Sequence, residues 1–349
     1  MRTDSSAATT SRWWITAGIV ALACALVAGA MVGPAGPTWW RVPLELVNRL
    51  PLVSVDSGLT AADWAIVWQI RAPRVVLAAL VGATLSLAGA SYQGVFRNPL
   101  VDPYLLGVAA GAGLGATVVI TINRAGSSGW IIDPLPLAAF VGGLTAVIVT
   151  YVVGTRVRGE RSSTTLVLAG VAVTSLATAI QTFLLQRNSD VVRQVYSWIL
   201  GRLSSATWDD VRLVIPYVVL STVALMLHRR LLDVLRVGDE EATALGVDVA
   251  RVRLVVVIAA PLGTAAVVAV SGLIGFVGII VPHAVRLIVG TSYRVVMPVS
   301  FLFGAAFLIV ADIPGRVLDR PAETPIGVGT AFLGAPFFLM ILRTRQTPR

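Results

Sequence analysis

RAPRVVLAALVGATLSLAGASYQGVFRNPLVDPYLLGVAAGAG, residues 71–113, is the stretch whose reading decides the fold. From Val75 to Phe96 no charge interrupts an apolar run. An α-helix of about 20 such residues crosses the roughly 30 Å of hydrocarbon in a bilayer. Arg71 and Arg74 stand one turn apart at the start of the run, and Gln93 lies inside it near the far end. Arg97, Asn98 and Pro99 break the helix, and Asp102 and Pro103 begin the next. On chemistry alone the charged ends read equally well as plain caps and turns at the membrane surface.

The same pattern recurs in both directions. Apolar runs fall at 13–32, 75–96, 104–122, 135–154, 164–185, 211–227, 254–270, 273–289, 296–310 and 326–342. The expected fold is therefore all-α: one polytopic membrane domain over 1–349 with about ten transmembrane helices. Residues 1–12 and 343–349 read as polar tails. A cleaved leader is the rival reading of 13–32, but the run is longer than a leader's apolar core. Residues 33–70, with four prolines and several tryptophans, read as a loop carrying short interfacial helices. Pro261 and Gly263 are expected to break the 254–270 span. Gly-rich segments such as GVAAGAGLGA and GLIGFVG point to close helix–helix packing.

Composition agrees. Hydrophobic residues make up 56% of the chain and charged residues 13%, where soluble domains carry about 25% charge. Mean hydropathy is +0.84. All 27 basic residues are arginine. Without a lysine the chain cannot carry an ordinary P-loop, so any ATP-driven work needs a second protein to hydrolyse the nucleotide. The one cysteine, Cys24, excludes an intrachain disulfide and a thiolate cluster. The net charge of +9 sits between apolar runs, which reads as membrane topology and not as nucleic-acid binding. Loop arginines favour, by a modest majority, an orientation with both termini on the cytoplasmic side.

Two further segments carry chemistry. In VSGLIGFVGIIVPHAVRLIVG (270–290), Pro282 precedes His283, and Arg286 shares a helix face with His283. This face reads either as a functional intramembrane pair or as a hydrogen-bonded structural cap. The charged stretch 228–253 holds Asp239, Glu240 and Glu241, followed by Ala242, Leu245 and Gly246. Ala242 and Leu245, three apart, are expected on one face of a short amphipathic helix that docks into a cytosolic partner. A solvated loop is the alternative.

Taken in order, RAPR (71–74), QGVFRNPLVDPYLLG (93–107), LGV (245–247), GFVGIIVPHAVRL (275–287), GAAFLIVAD (304–312) and ETPIGVGTAFLGAPFF (323–338) resemble the permease subunits of type II ABC importers for ferric siderophores, haem and vitamin B12. The resemblance covers Arg71 to Phe338. It implies a homodimer with a central pathway, two copies of a cytosolic ABC ATPase, and a periplasmic or lipid-anchored substrate-binding protein. It implies no catalytic residue, metal or cofactor in this chain; ATP and Mg belong to the ATPase. Arg71, Arg74 and Arg316 take the positions that face the binding protein. The coupling helices fall within 231–246. Ser162 and Ser163 stand at the inner gate, with Gln93, Asn98, Pro99, Pro282, His283 and Arg286 assigned to the gate and pathway. The implied location is the bacterial cytoplasmic membrane. A ferric siderophore is the first expectation for the cargo, with haem or vitamin B12 next. An ion-coupled secondary transporter would want acidic residues at mid-membrane, and a membrane enzyme would want clustered catalytic groups. The spans show neither pattern.

Overall fold

The computed structural model describes residues 3–33, 36–48, 57–123, 133–156, 163–318 and 322–345. Along the chain these form α1 (Thr3–Met31), α2 (Arg41–Asn48), α3 (Ala61–Ile66), α4 (Ala72–Val95), α5 (Val108–Ile122), α6 (Pro134–Arg156) and α7 (Ser163–Arg187). There follow α8 (Val192–Ile199), α9 (Trp208–Leu235), α10 (Asp239–Ala244), α11 (Val249–Ser271), α12 (Val277–Val289), α13 (Tyr293–Val317) and α14 (Ile326–Arg345). No strand occurs among the described residues. Among the described residues, seven helical stretches are long and apolar enough to cross a membrane; α5, α12 and the apolar part of α14 are shorter. The chain is a helical membrane bundle, and its apolar helices fall where the sequence runs placed them.

The centre of the bundle is α4. Nearly all of it is buried, from Pro73 to Val95, against α13, α11, α9, α12 and α1. Glycines make this crowding possible. A Cβ on Gly82 would collide with the Gly304 carbonyl of α13, and one on Gly89 with the Gly278 carbonyl of α12. Lipid supplies no hydrophobic drive between helices, so close backbone approach supplies the contact energy instead. Helices α6, α7, α9 and α14 turn large apolar side chains outward, including Ile148, Leu168, Leu227 and Phe332. Such an outer surface suits lipid or another membrane chain.

Several expectations need correction. Helix α1 begins at Thr3, so the expected polar tail is helical from that residue on. Helix α11 runs unbroken through Pro261 and Gly263. Proline removes the N–H that would bond the Val257 carbonyl, yet the helix continues; nearby, Ser221 of α9 donates its hydroxyl to the Ala259 carbonyl at 2.7 Å and ties this stretch of α11 to its neighbour. The third span starts at Val108 and not at Tyr104, because Gly107 takes a left-handed φ of 87° that stops the preceding turns. The eighth starts at Val277, after Phe276, a non-glycine residue at φ 69°.

The non-helical segment 272–276 enters the bundle between α11 and α12. Its backbone has no water to bond, so a side chain must serve. The Tyr104 hydroxyl donates to the Ile274 carbonyl at 3.0 Å and accepts from the Ile274 amide at 3.2 Å. Tyr104→Phe orphans both groups and is expected to cost about 1–3 kcal/mol. Thermal unfolding in detergent should show a clear drop for this variant; an unchanged midpoint would remove Tyr104 from this role.

Candidate functional site

At the Arg97 end of the bundle, α10 projects between two glycines, Gly238 at φ 138° and Gly246 at φ 83°. Both conformations suit glycine, so α10 is cut off sharply at each end. Glu240, Glu241, Leu245 and Gly246 are exposed, Leu245 to 70%. Ala242 is fully buried beneath α10. Ala242 and Leu245 therefore do not share an outward face, contrary to the sequence expectation. The six-residue helix needs one apolar anchor underneath, and Ala242 is that anchor. Asp239 also turns inward: it pairs with Arg97 at 3.0 Å and with Arg253 of α11 at 3.0 Å. These two bridges tie α10 to the end of α4 and to the start of α11.

Beside α10 lies a cavity of about 410 Å³, lined by Gln93, Pro99, His283 and Arg286 among others. Gln93 is buried at the meeting point of three elements. Its amide donates to the Val101 carbonyl at 3.3 Å and to the Gly278 carbonyl at 3.1 Å, and its oxygen accepts from Arg286. His283 stands edge-on to Phe337 of α14, with ring centroids 6.3 Å apart. Pro282 is buried within α12. Asn98 does not line this cavity; it is exposed and accepts from the Leu100 amide at 3.0 Å, closing the turn after α4. In the same loop Asp102 accepts from the Tyr104 amide at 2.7 Å, while desolvation pushes its carboxyl up to about 6. Ser162 lies outside the described residues. Ser163 opens α7, and its side chain is likewise outside them.

The opposite end carries the arginines. Arg74 grips both oxygens of Asp312 at 2.8 and 2.9 Å and reaches Glu323 at 2.6 Å. Arg316 holds the same Asp312 at 2.8 and 2.6 Å and donates to the Gly29 and Val32 carbonyls at 2.7 and 3.1 Å. Arg71 donates to the Ala30 and Met31 carbonyls at 3.1 and 2.9 Å. The last carbonyls of α1 have no helical partner, and positive charge suits their dipole. Arg71 and Arg316 thus cap α1, while Asp312 joins α4 to α13. These are the three arginines for which the resemblance implied a docking role, and in this chain their side chains serve the bundle. Their exposures are 4%, 6% and 1%, and the guanidinium groups are turned into the bundle.

An unbroken apolar bundle with a short charged helix hung outside one end is a transporter's geometry, and residues 15–344 match the FecCD transport family. The chain belongs to that family. A FecCD chain of this kind is the membrane-spanning permease subunit of an ABC importer; it is not an enzyme, and a separate ATPase subunit hydrolyses the ATP. It is a multi-pass protein of the cytoplasmic membrane. Among its relatives is the cobalamin import system permease protein BtuC of Halobacterium salinarum, 41% identical, the match covering 92% of this chain and 82% of that one. The hemin transport system permease protein HmuU of Yersinia pestis is 38% identical, over 83% of this chain and 87% of its own. The Fe(3+)-citrate import system permease protein YfmE of Bacillus subtilis is 34% identical, over 82% and 84%. A metal-chelate type ABC transporter solved in an inward-facing conformation superposes with a TM-score of 0.80 at 27% identity, covering 95% of this chain and 98% of that one.

Of the residues that the sequence reading assigned to the gate and pathway, Gln93, Pro99, His283 and Arg286 line one cavity, while Pro282 and Asn98 do not. That reading missed Arg97 and Arg253 as the anchors of α10, and Asp312 and Glu323 as the acceptors of the buried arginines. The signal was present in part: two acids and three arginines flank the same end of the spans. Their pairing partners lie up to 249 positions apart, beyond any local pattern.

Proposed function

We propose that this permease works as a homodimer that moves an iron chelate inward by alternating access, with a ferric siderophore as the first candidate cargo and haem or vitamin B12 as the alternatives. A periplasmic or lipid-anchored binding protein delivers the cargo at the Arg71 end, and two ATPase copies act at the Arg97 end. Arg97, Arg229, Arg236, Arg253, Arg286 and Arg294 gather near that second end, which supports placing it, with both termini, in the cytoplasm.

The observation that carries the reading is α10. Its outer surface pairs two exposed acids with an exposed leucine, and its inner surface is bolted by Asp239 to α4 and α11. A push on α10 is thereby delivered to the most buried helix of the bundle. The pathway itself is assigned to the outward face of α7. Thr164, Leu168, Val171, Ser175, Thr178 and Thr182 follow helical spacing there, all exposed. Ser175 and Thr182 spend their hydroxyl protons on carbonyls of their own helix at 2.9 Å. Such a wall is wettable but does not grip a solute, as a conduit for a large chelate requires.

Replacing Glu240 and Glu241 together with arginine should abolish co-purification of the ATPase and reduce uptake at least tenfold, while leaving the helical content of the permease intact. Both residues are exposed, so folding should not suffer. Retained co-purification with normal uptake would break the coupling assignment, and uptake that persists with no ATPase present would favour an ion-coupled transporter.

A further inference from the structure

Helices α6 and α9 both pack along α11 but scarcely on each other. Between them, at the Arg71 end, lies a crevice of about 220 Å³. The start of α9 fixes that level, since the Trp208 indole donates to the Trp68 carbonyl, just before Arg71, at 2.9 Å. Small side chains leave the space open: Ala266 and Ala269 of α11 form its floor. Pro136 and Leu137 of α6 line one wall, and Leu213 and Val214 of α9 line the other. One turn deeper, Phe140 and Tyr217 reach across from the two walls, their ring centroids 5.1 Å apart, and close the crevice on that side. Leu137 and Leu213 at the rim are 54% and 46% exposed, so the space opens sideways. Val141 and Leu220, on the same helix faces, are exposed as well.

An apolar crevice in the outer surface of a membrane bundle has one natural filling. Water needs polar partners that these walls do not offer, and an empty space forfeits the packing contacts of its lining. A hydrocarbon tail from the surrounding bilayer satisfies both. The polar end of the crevice then selects the headgroup. Asp133 stands there, the one carboxylate in the lining, and no arginine lines the crevice. Its Oδ1 accepts from the Leu135 amide at 3.0 Å at the start of α6, while Oδ2 makes no hydrogen bond among the described residues. Such a carboxylate attracts an ammonium group and repels an anionic one. We infer that this crevice binds one acyl chain of an aminophospholipid, such as phosphatidylethanolamine, with its ammonium group at Asp133. The chain completes the contact that α6 and α9 do not make directly, and so braces α5, α6 and α7 against the rest of the bundle. The inference rests on the membrane location of the chain and depends neither on the cargo nor on the coupling role of α10.

The test adds phosphatidylethanolamine, phosphatidylcholine or phosphatidylglycerol, separately, to the purified full chain in detergent. Native mass spectrometry reads the most tightly retained lipid, and thermal unfolding reads stability. Phosphatidylethanolamine should be held about fivefold more tightly than phosphatidylglycerol, the worth of a good exposed ion pair, with phosphatidylcholine between them. It should also raise the unfolding midpoint most. Asp133→Asn keeps the start of α6 capped, because asparagine serves there as well as aspartate, and should erase the difference between headgroups. Ala266→Leu fills the floor of the crevice and should release all three lipids while the midpoint of the lipid-free protein holds or rises. Ala269→Val, a smaller filling, should release them in part. Leu227→Ala, an exposed change on α9 far from the crevice, should bind as the parent does. Equal retention of the three lipids by the parent, or an unchanged preference in Asp133→Asn, would overturn the headgroup assignment. Retention undiminished in both alanine variants would overturn the crevice as the site.

Discussion

Asp312→Ala is expected to leave the permease unable to hold α1, α4 and α13 together. Asp312 is 2% exposed and accepts from both Arg74 and Arg316. Without it, Arg316 is a buried cation with only backbone carbonyls for company, and Arg74 keeps only Glu323. Breaking a buried pair by removing one partner costs about 3–5 kcal/mol, because the remaining charge stays out of water. That is a large share of the about 5–15 kcal/mol that holds a typical domain folded. The variant should appear as aggregated or sharply destabilised protein on size-exclusion chromatography in detergent. Two comparisons isolate the cause. Glu323→Ala should be milder, since the Glu323 side chain is 21% exposed and bonds one arginine. Replacing Arg74, Asp312 and Arg316 together with Met, Leu and Met should recover part of the loss, since a well-packed apolar set avoids the desolvation cost. An Asp312→Ala protein as stable as the parent would show that the cluster does not hold the helices.

The second large effect belongs to Gly89→Val. The glycine sits where α4 crosses α12, and its added Cβ would overlap the Gly278 carbonyl and Cα. The obstacle is backbone, which cannot swing aside as a side chain can. Overpacking in a core usually costs about 1–3 kcal/mol, and here the two helices must separate along their contact, so the loss should exceed that range. Gly113→Ala is the control. Its Cβ would meet only the end of the Gln181 side chain at 3.4 Å, an ordinary contact with a flexible group. Expression and thermal midpoint should fall steeply for Gly89→Val and stay near the parent for Gly113→Ala. Comparable behaviour of the two variants would mean that the α4–α12 crossing is looser than its geometry.

Much of this architecture was legible in the residues because membrane insertion is a local rule. A run such as Val75–Phe96 must be helical in hydrocarbon, since no water is there to bond its backbone. The short interfacial helices in 33–70 and the amphipathic 239–244 segment followed from equally local cues. The misreadings share another origin. Pro261 was expected to break a helix, but α11 is held by packing against α4, α6 and α9, which its own sequence does not show. Ala242 and Leu245 were placed on one face by spacing alone, which ignores the bundle beneath a six-residue helix. That Arg71, Arg74 and Arg316 are buried was also beyond a local reading, since all three lie at the ends of spans. Only the approach of α1, Asp312 and Glu323 buries them.

The order of residues was enough to establish a membrane permease: apolar length, the absence of lysine and the chain of motifs are properties of neighbours along the polypeptide, and hydrocarbon reads them one span at a time. Which arginines carry structure, which face of α10 looks outward and where a crevice opens between α6 and α9 depended on helices far apart in sequence coming together. Charge is placed by residue, but its pairing and its desolvation exist only once the helices have packed.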